Sequence, residues 1–361
     1  ALAVLLVCGM AGSALAELSL PPTVSKGMVI QRDRPYVLAG RASPGASISV
    51  VLGEFAGNAT ADERGGWQVT IPPIPTSATP RKLEVTGDGT HLVFPEVLIG
   101  DVYLVTGCSF GPQARKGSVK QDKLATSLKE CGAVRTLTVS TRRASFEHPK
   151  GLYERGFVKY GGWKPLPGII SHTPYFLIGL GRALGVQKNL PIGLIFADAG
   201  AERLEAIIPA TAYRSAGLTD LADQAEKYIP GTVLGDTAIA AHLAAVRKWA
   251  EESAHALDSG RVPTSKCPEF KELKHTDFGT VWNGTIAPLK TFPVKGVIVS
   301  ISATESKTPE SLRKLKEQAV VATARMAWGD AVEVRFIPPQ IEPDDAEQIK
   351  RGERAADAIG R

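Results

Sequence analysis

Three stretches of this chain end an apolar run on residues whose types could do chemistry: Gly107-Cys108-Ser109, Asp198-Ala199-Gly200-Ala201 and Ala303-Thr304-Glu305-Ser306. In the first, GDVYLVTGCS (100–109), a glycine that permits a sharp turn is followed closely by the Ser109 hydroxyl. A hydroxyl so placed is a candidate nucleophile for acyl transfer. That chemistry also needs a base to take the serine proton and N–H donors aimed at the developing oxyanion. The backbone at Gly200 and Ala201 offers such donors, and the Glu305 loop is the third member of the group. The same three segments also read as ordinary strand-to-helix turns, where Gly and Ser are common.

These turns share one site only if the strands before them lie side by side and parallel, because residues just past the carboxyl ends of such strands face one crevice. From about Leu98 the sequence has that character. DVYLV (101–105), VRTLTV (134–139), IGLIFA (192–197), KGVIVSIS (295–302) and the alternation of Val332, Val334 and Phe336 read as strands. Between them the pattern predicts helices over 174–184, through Leu204 and Ile207, over 237–257 with Ile239, Leu243, Val246 and Trp249 on one face, and over 309–328. Ser171 and Thr173 are candidate caps for the helix over 174–184, with Pro174 in its first turn. Strands alternating with helices predict an α/β fold built on a doubly wound parallel sheet in three layers. Residues 17–97 differ. There MVIQ, YVLAG, SISVVL, WQVTI and KLEV are separated by Gly- and Pro-rich turns, which predicts a small antiparallel β-sandwich.

A length of 361 residues predicts two domains, 17–97 and 98–361. The net charge of +5 comes without a dense Lys/Arg run carrying interleaved aromatics, which argues against nucleic acid as a partner. Residues 1–16, ALAVLLVCGMAGSALA, carry no charge and end in a small-x-small pattern. They read as a cleaved export signal, too short to span a membrane, so the mature chain is expected to start near Glu17 and to be secreted or periplasmic. Beyond that segment Cys108, Cys131 and Cys267 are odd in number and widely spaced, and they imply neither a disulfide framework nor a zinc site. No metal or organic cofactor is implied.

The long segments LSLPPTVSKGMVIQRDRPYVLAGRASPGASISV, RGGWQVTIPPIP and EVLIGDVYL resemble the sialate O-acetylesterase family of carbohydrate esterases, a branch of the SGNH/GDSL hydrolases with a sandwich domain in front. GDVYLVTGCSF is similar to the family's nucleophile block GDVWLCSGQSNM. PIGLIFADAGAERLEAIIP is similar to PVGLIxxSWGGTxIEAWxP and retains Pro191, Gly193, Leu194, Ile195, Gly200, Glu205, Ala206 and Pro209. VWNGTIAPLKTFPVKGVIVSIS is similar to LYNGMIAPLxPxxIRGVIWYQ. The resemblance implies an SGNH-type fold, Ser109 as nucleophile, and the Gly200/Ala201 backbone as part of the oxyanion hole. Its implied substrate is an acetylated carbohydrate or glycan.

The departures are specific. Family Gln-Ser-Asn becomes Cys108-Ser109-Phe110, and Trp-Gly-Gly-Thr becomes Ala199-Gly200-Ala201-Glu202. Glu305-Ser306 matches the family Glu-Ser only with an insertion, as a remnant of the third block. An acidic residue there also reads as a solvated or helix-end charge. The family base is a His in a D-x-x-H or D-x-H stretch near the C-terminus, whereas the six histidines here are His91, His148, His172, His242, His255 and His275. His172 and His275 are weak replacements. The segment 342–358 is either a shortened, inactivated version of the His-bearing stretch, loosely echoed by Asp344, Asp345, Gly352 and Arg354, or the stretch lies downstream of residue 361. Two functions follow as expectations: an exported carbohydrate O-acetylesterase acting through Ser109, or a catalytically inactive relative that binds glycans or serves as a cell-surface structural module.

Overall fold

The computed structural model describes residues 17–108, 110, 133–144, 149–201, 203–269, 278–339 and 345–360. Ser109, Cys131, His148, Glu202, His275 and Asp344 lie outside them, as does the segment 1–16.

β-branched apolar runs that can be buried on both faces form the parallel strands. β7 (Thr90–Gly107), β8 (Val134–Thr138), β10 (Ile192–Asp198), β11 (Gly296–Ser300) and β12 (Glu333–Ile337) pair in parallel in the spatial order β8-β10-β7-β11-β12. The two-residue β9 (Lys164–Pro165) adds antiparallel to β8. The chain therefore leaves β7 to build one side of the sheet and then crosses to build the other. That puts the topological switch point at β7, where an open α/β sheet forms its crevice. Register makes the switch point level: Gly107 pairs with Asp198 on one side and Ser300 on the other.

Alternate side chains of β7 enter different cores. Val102 and Leu104 join Leu137, Ile195, Val297 and Val299 on one face, under the helix α6 (Glu310–Trp328) through Ala319, Val320 and Ala324. Tyr103 and Val105 join Leu194, Phe196 and Ile298 on the other, under α1 (Tyr175–Lys188) and α7 (Asp345–Gly360). Helices thus cover both faces. The short α2 (Ala210–Ser215) and α3 (Thr219–Glu226) precede α4 (Val233–Asp258), a 26-residue helix in which only Gly235 is buried. The one-turn α5 (Ala303–Ser306) follows β11. No helix among the described residues is long and apolar enough to cross a membrane.

The N-terminal strands are antiparallel apart from β1 (Val29–Gln31), which runs parallel to β7. β4 (Phe55–Thr60), β3 (Ser47–Leu52) and β6 (Ser77–Gly87) continue outward from the first part of β7, while β2 (Tyr36–Arg41) pairs with β5 (Gly66–Ile71) in a separate two-stranded sheet. β7 runs for 18 residues through both regions, and Glu96 within it has φ +62°.

The helices expected over 174–184 and 237–257 extend further, to Tyr175–Lys188 and Val233–Asp258, that over 309–328 forms as Glu310–Trp328, and the stretch through Leu204 and Ile207 is only a 3-10 turn. The proposed caps do not act as such. Pro174 occupies the N-cap of α1 with no side-chain cap, and the Thr173 hydroxyl donates backward to the Ile169 carbonyl at 2.8 Å.

Candidate functional site

Backbone hydrogen bonds stitch the three strand ends together. Cys108 N–H donates to the Ser300 carbonyl at 2.8 Å, and Ala199 N–H donates to the Gly107 carbonyl at 3.1 Å. Gly107 has φ +122°, and a Cβ there would lie 2.3 Å from the Ser300 carbonyl oxygen. Both facts require glycine, so the backbone at Gly107 is fixed by its neighbours. Ser109 itself lies outside the described residues, but both residues flanking it are anchored. Cys108 is buried, and Phe110 is packed edge-on against Phe196 at 5.0 Å and tilted against Phe176 at 5.6 Å. The Phe110 ring is thus an apolar anchor packed on Phe176 and Phe196.

The second stretch is an Asx-type turn. Asp198 Oδ1 accepts the Gly200 N–H at 3.0 Å, while Gly200 takes φ +53°. Burial raises the Asp198 carboxyl, opposed by that N–H and by Lys159. Of the two backbone donors expected for an oxyanion, Gly200 is therefore already engaged, whereas Ala201 N–H has no acceptor among the described residues.

Arg143 is a member of the site that the sequence reading passed over. Its Nη2 donates to the carbonyls of Ala199 at 3.3 Å and Gly200 at 3.2 Å, bringing a guanidinium to this turn. The segment carrying it is held by the Asn283-Gly284-Thr285 stretch, which lies in a π-helical turn over Trp282–Ile286. Thr285 Oγ1 accepts from Arg142 N–H at 2.7 Å and donates to the Arg142 carbonyl at 2.8 Å. Asn283 Nδ2 donates to the Ala144 carbonyl at 3.1 Å. At Gly284 a Cβ would come within 2.7 Å of the Arg142 backbone.

Glu305 is neither solvated nor open to a substrate. It is fully buried at the third position of α5, whose N-cap Ser302 accepts the Glu305 N–H at 2.8 Å. Its Oε2 accepts the Leu204 N–H at 3.0 Å and its Oε1 accepts from Lys316 Nζ at 3.0 Å. Lys316, 1% exposed, also pairs with Glu205 Oε1 at 2.8 Å. Glu205 Oε2 is buried without a partner among the described residues. One cation thus sits between two carboxylates beneath the second and third stretches, tying α6 to α5 and to the 3-10 turn Leu204–Ile207. Cys108 lies beside this cluster. Burial pushes its thiol up to about 12, the Glu305 and Glu205 carboxylates add to the rise, and hydrogen bonds from Ser302 oppose it. A thiol so raised is inert at neutral pH.

From the opposite side of the sheet, Arg351 of α7 reaches the same row. Its Nη2 donates to Ser300 Oγ at 2.9 Å and to the Pro338 carbonyl at 2.7 Å, over the Phe176 ring. Burial pulls its pKa down to about 10, so it stays charged at neutral pH.

The described histidines lie elsewhere. His91 pairs with Glu84 in the N-terminal strands, His242 and His255 lie on α4, and the exposed His172 stacks on Tyr160. Among the described residues no group of three or more His, Cys, Asp or Glu side chains could hold a metal ion. Cys108 and Cys267 are free thiols.

No family model matches the chain, and no curated protein matches it. Among solved structures, an acetyl xylan esterase from Butyrivibrio proteoclasticus aligns over 96% of this chain and 98% of its own at 10% identity, with a TM-score of only 0.25. A carbohydrate acetylesterase from Xanthomonas citri aligns over 94% of this chain and 74% of its own, with 21% identity and a TM-score of 0.65. The chain therefore has the fold of that acetylesterase.

Proposed function

We propose that this chain is a carbohydrate esterase of the sialate O-acetylesterase type, hydrolysing acetyl esters on sugars through Ser109. The observation that carries the reading is the stitched row of strand ends Gly107, Asp198 and Ser300 at the switch point of a fold shared with a carbohydrate acetylesterase. In this reading the Ser109 hydroxyl attacks the acetyl carbonyl. The developing oxyanion accepts the Ala201 N–H, and the Arg143 guanidinium holds the carbonyls of the same turn so that this N–H faces the crevice. The Glu205–Lys316–Glu305 cluster fixes the turn's far end through Leu204 N–H. Residues 17–97 act as a β-sandwich domain before an SGNH-type domain over 98–361, and residues 1–16 direct export.

A second reading is favoured by one observation: among the described residues, His91 pairs with Glu84, His172 stacks on Tyr160, and His242 and His255 lie on α4, and none is seen to bond to a residue of the strand-end row. Without a base to take the Ser109 proton, the same chain is an inactive relative retained for glycan binding. An acetyl-ester assay on the purified protein beside Ser109→Ala separates the two. A rate abolished by Ser109→Ala supports the hydrolase, and equal background rates in the two proteins overturn it.

A further inference from the structure

Strain concentrates in one exposed loop that the chemistry above does not use. Tyr160, Gly161 and Gly162 take successive φ values of +56°, +69° and +109°. For the two glycines this is unremarkable. For a tyrosine the left-handed region costs on the order of 1–2 kcal/mol, and such outliers persist where surrounding structure enforces them. Both ends of the loop are clamped. Val158 bridges Val139, and Lys159 N–H donates to the Thr138 carbonyl at 2.8 Å. At the far end Trp163 N–H donates to Ser25 Oγ at 3.0 Å, and the Trp163 indole N–H donates to the Thr23 carbonyl at 2.9 Å.

The clamped loop turns an aromatic ring outward rather than into the core. Tyr160 is 39% exposed, and its hydroxyl has no partner among the described residues. Its ring stacks on the exposed His172 ring, with centroids 5.1 Å apart and planes 25° from parallel. His172 ends the 3-10 helix Leu166–His172 that leads into α1. The pair is a rigid, partly apolar wall with polar tips.

Its position links it to the candidate site. Thr138 is the last residue of β8, level with Val105 of β7 and two strands, about 10 Å, from it across the sheet. The chain leaving β8 runs on to Thr141, whose hydroxyl donates to the Asp198 carbonyl at 2.6 Å. The loop that carries Tyr160 therefore lies along the outer side of β8, three strand spacings or roughly 15 Å across the sheet from β7.

We propose that Tyr160 and His172 form a sugar-stacking subsite that takes a pyranose ring of the carbohydrate chain whose ester is presented to Ser109. The C–H-rich face of a pyranose packs against an aromatic face, and its hydroxyls can bond to the phenol and imidazole tips. A fixed ring loses little conformational freedom on binding, which favours a preset wall over a mobile one. This proposal deepens the carbohydrate esterase reading and rests on it for the identity of the ligand class.

The test reads binding, not turnover. Partially acetylated xylo- and gluco-oligosaccharides of four to six sugars are titrated by calorimetry into wild type, Tyr160→Gly, Tyr160→Phe and His91→Ala. Glycine relieves the strain at this φ while removing the ring, so weakened binding cannot be ascribed to a broken fold. The expected result is binding weakened about tenfold or more in Tyr160→Gly, little changed in Tyr160→Phe, and unchanged in His91→Ala. In the wild type the His172 ring-proton resonances should shift on saturation. Equal affinity of wild type and Tyr160→Gly, or no binding of any of these sugars by wild type, overturns the subsite. The esterase reading is judged separately, by the Ser109→Ala comparison on a small acetyl ester.

Discussion

Replacing Lys316 with methionine probes the cluster beneath the site directly. Lys316, Glu305 and Glu205 are 1%, 0% and 7% exposed, and Lys316 Nζ is the cation that both carboxylates share, at 3.0 and 2.8 Å. Methionine keeps the length of the side chain and removes the charge. Glu305 Oε1 and Glu205 Oε1 then lose their donor, joining Glu205 Oε2, which already lacks one among the described residues. Breaking a buried ion pair by removing one partner costs about 3–5 kcal/mol, because the remaining charge is left uncompensated. With two carboxylates stranded, the upper half of that range is expected. For a chain of this size the urea dependence is about 3 kcal/mol per molar, so the unfolding midpoint should fall by roughly 1.3–1.7 M. The assay is urea unfolding followed by tryptophan fluorescence. Lys314→Met is the control, since its exposed pair with Glu310 predicts a change within about 0.5 kcal/mol. The triple variant Glu205→Gln/Lys316→Met/Glu305→Gln should recover most of the loss, because the stranded charges are gone. A Lys316→Met midpoint within about 0.3 M of wild type, a loss under 1 kcal/mol at that slope, would refute the account of the cluster.

Thr285→Val removes a hydroxyl that both accepts from and donates to the Arg142 backbone. It leaves two part-buried backbone groups of Arg142 without that partner, at about 1 kcal/mol each. The same variant frees the segment carrying Arg143, so if the esterase reading holds, kcat on a small acetyl ester should fall more than KM rises. Cys108 sets a pH dependence. The unfolded thiol ionises near 9 and the folded one near 12, so its stabilisation is complete below pH 9 and is lost as pH rises toward 12. Cys108→Val should flatten that alkaline limb of the urea midpoint against pH. In the folded wild type at pH 8, peptide mapping after alkylation should find Cys267 labelled and Cys108 protected.

The parallel strands were legible in the sequence because each is a run of β-branched apolar residues bounded by turn residues, and burial on both faces demands such runs. Gly107, Gly200 and Glu305 were legible as a group because strand ends in a parallel sheet meet on one edge. What each of them does there was not. Lys316 sits in ESLRKLKEQ, a stretch that reads as a solvated helical face, and nothing local announces that it lies between two distant carboxylates. Glu305 reads as a remnant of a site block or as a solvated or helix-end charge, and its burial against Lys316 depends on packing from α6. Gly200 looked like a free donor because the competing acceptor, Asp198 Oδ1, depends on the turn's geometry. Arg143 escaped notice because its role is set by Thr285 and Asn283, far away in the chain. The packing of Phe110 follows from Phe176 and Phe196, although the loss of a polar residue at that place was visible.

The 18-residue strand β7 has a consequence for how the protein comes apart. Its first part pairs with β6, its middle with β1, and its last part with β10 and β11. Domain junctions usually fall in exposed linkers crossed by few contacts. Residues 97 and 98, where the sequence predicts a boundary, instead fall inside a hydrogen-bonded strand. The outer antiparallel strands and the Gly107 turn should therefore melt as one cooperative unit. Ligand bound over the crevice would then slow amide exchange as far away as β6. A nick between residues 97 and 98 would disable the distal turn by cutting the strand that joins the antiparallel and parallel parts of the sheet.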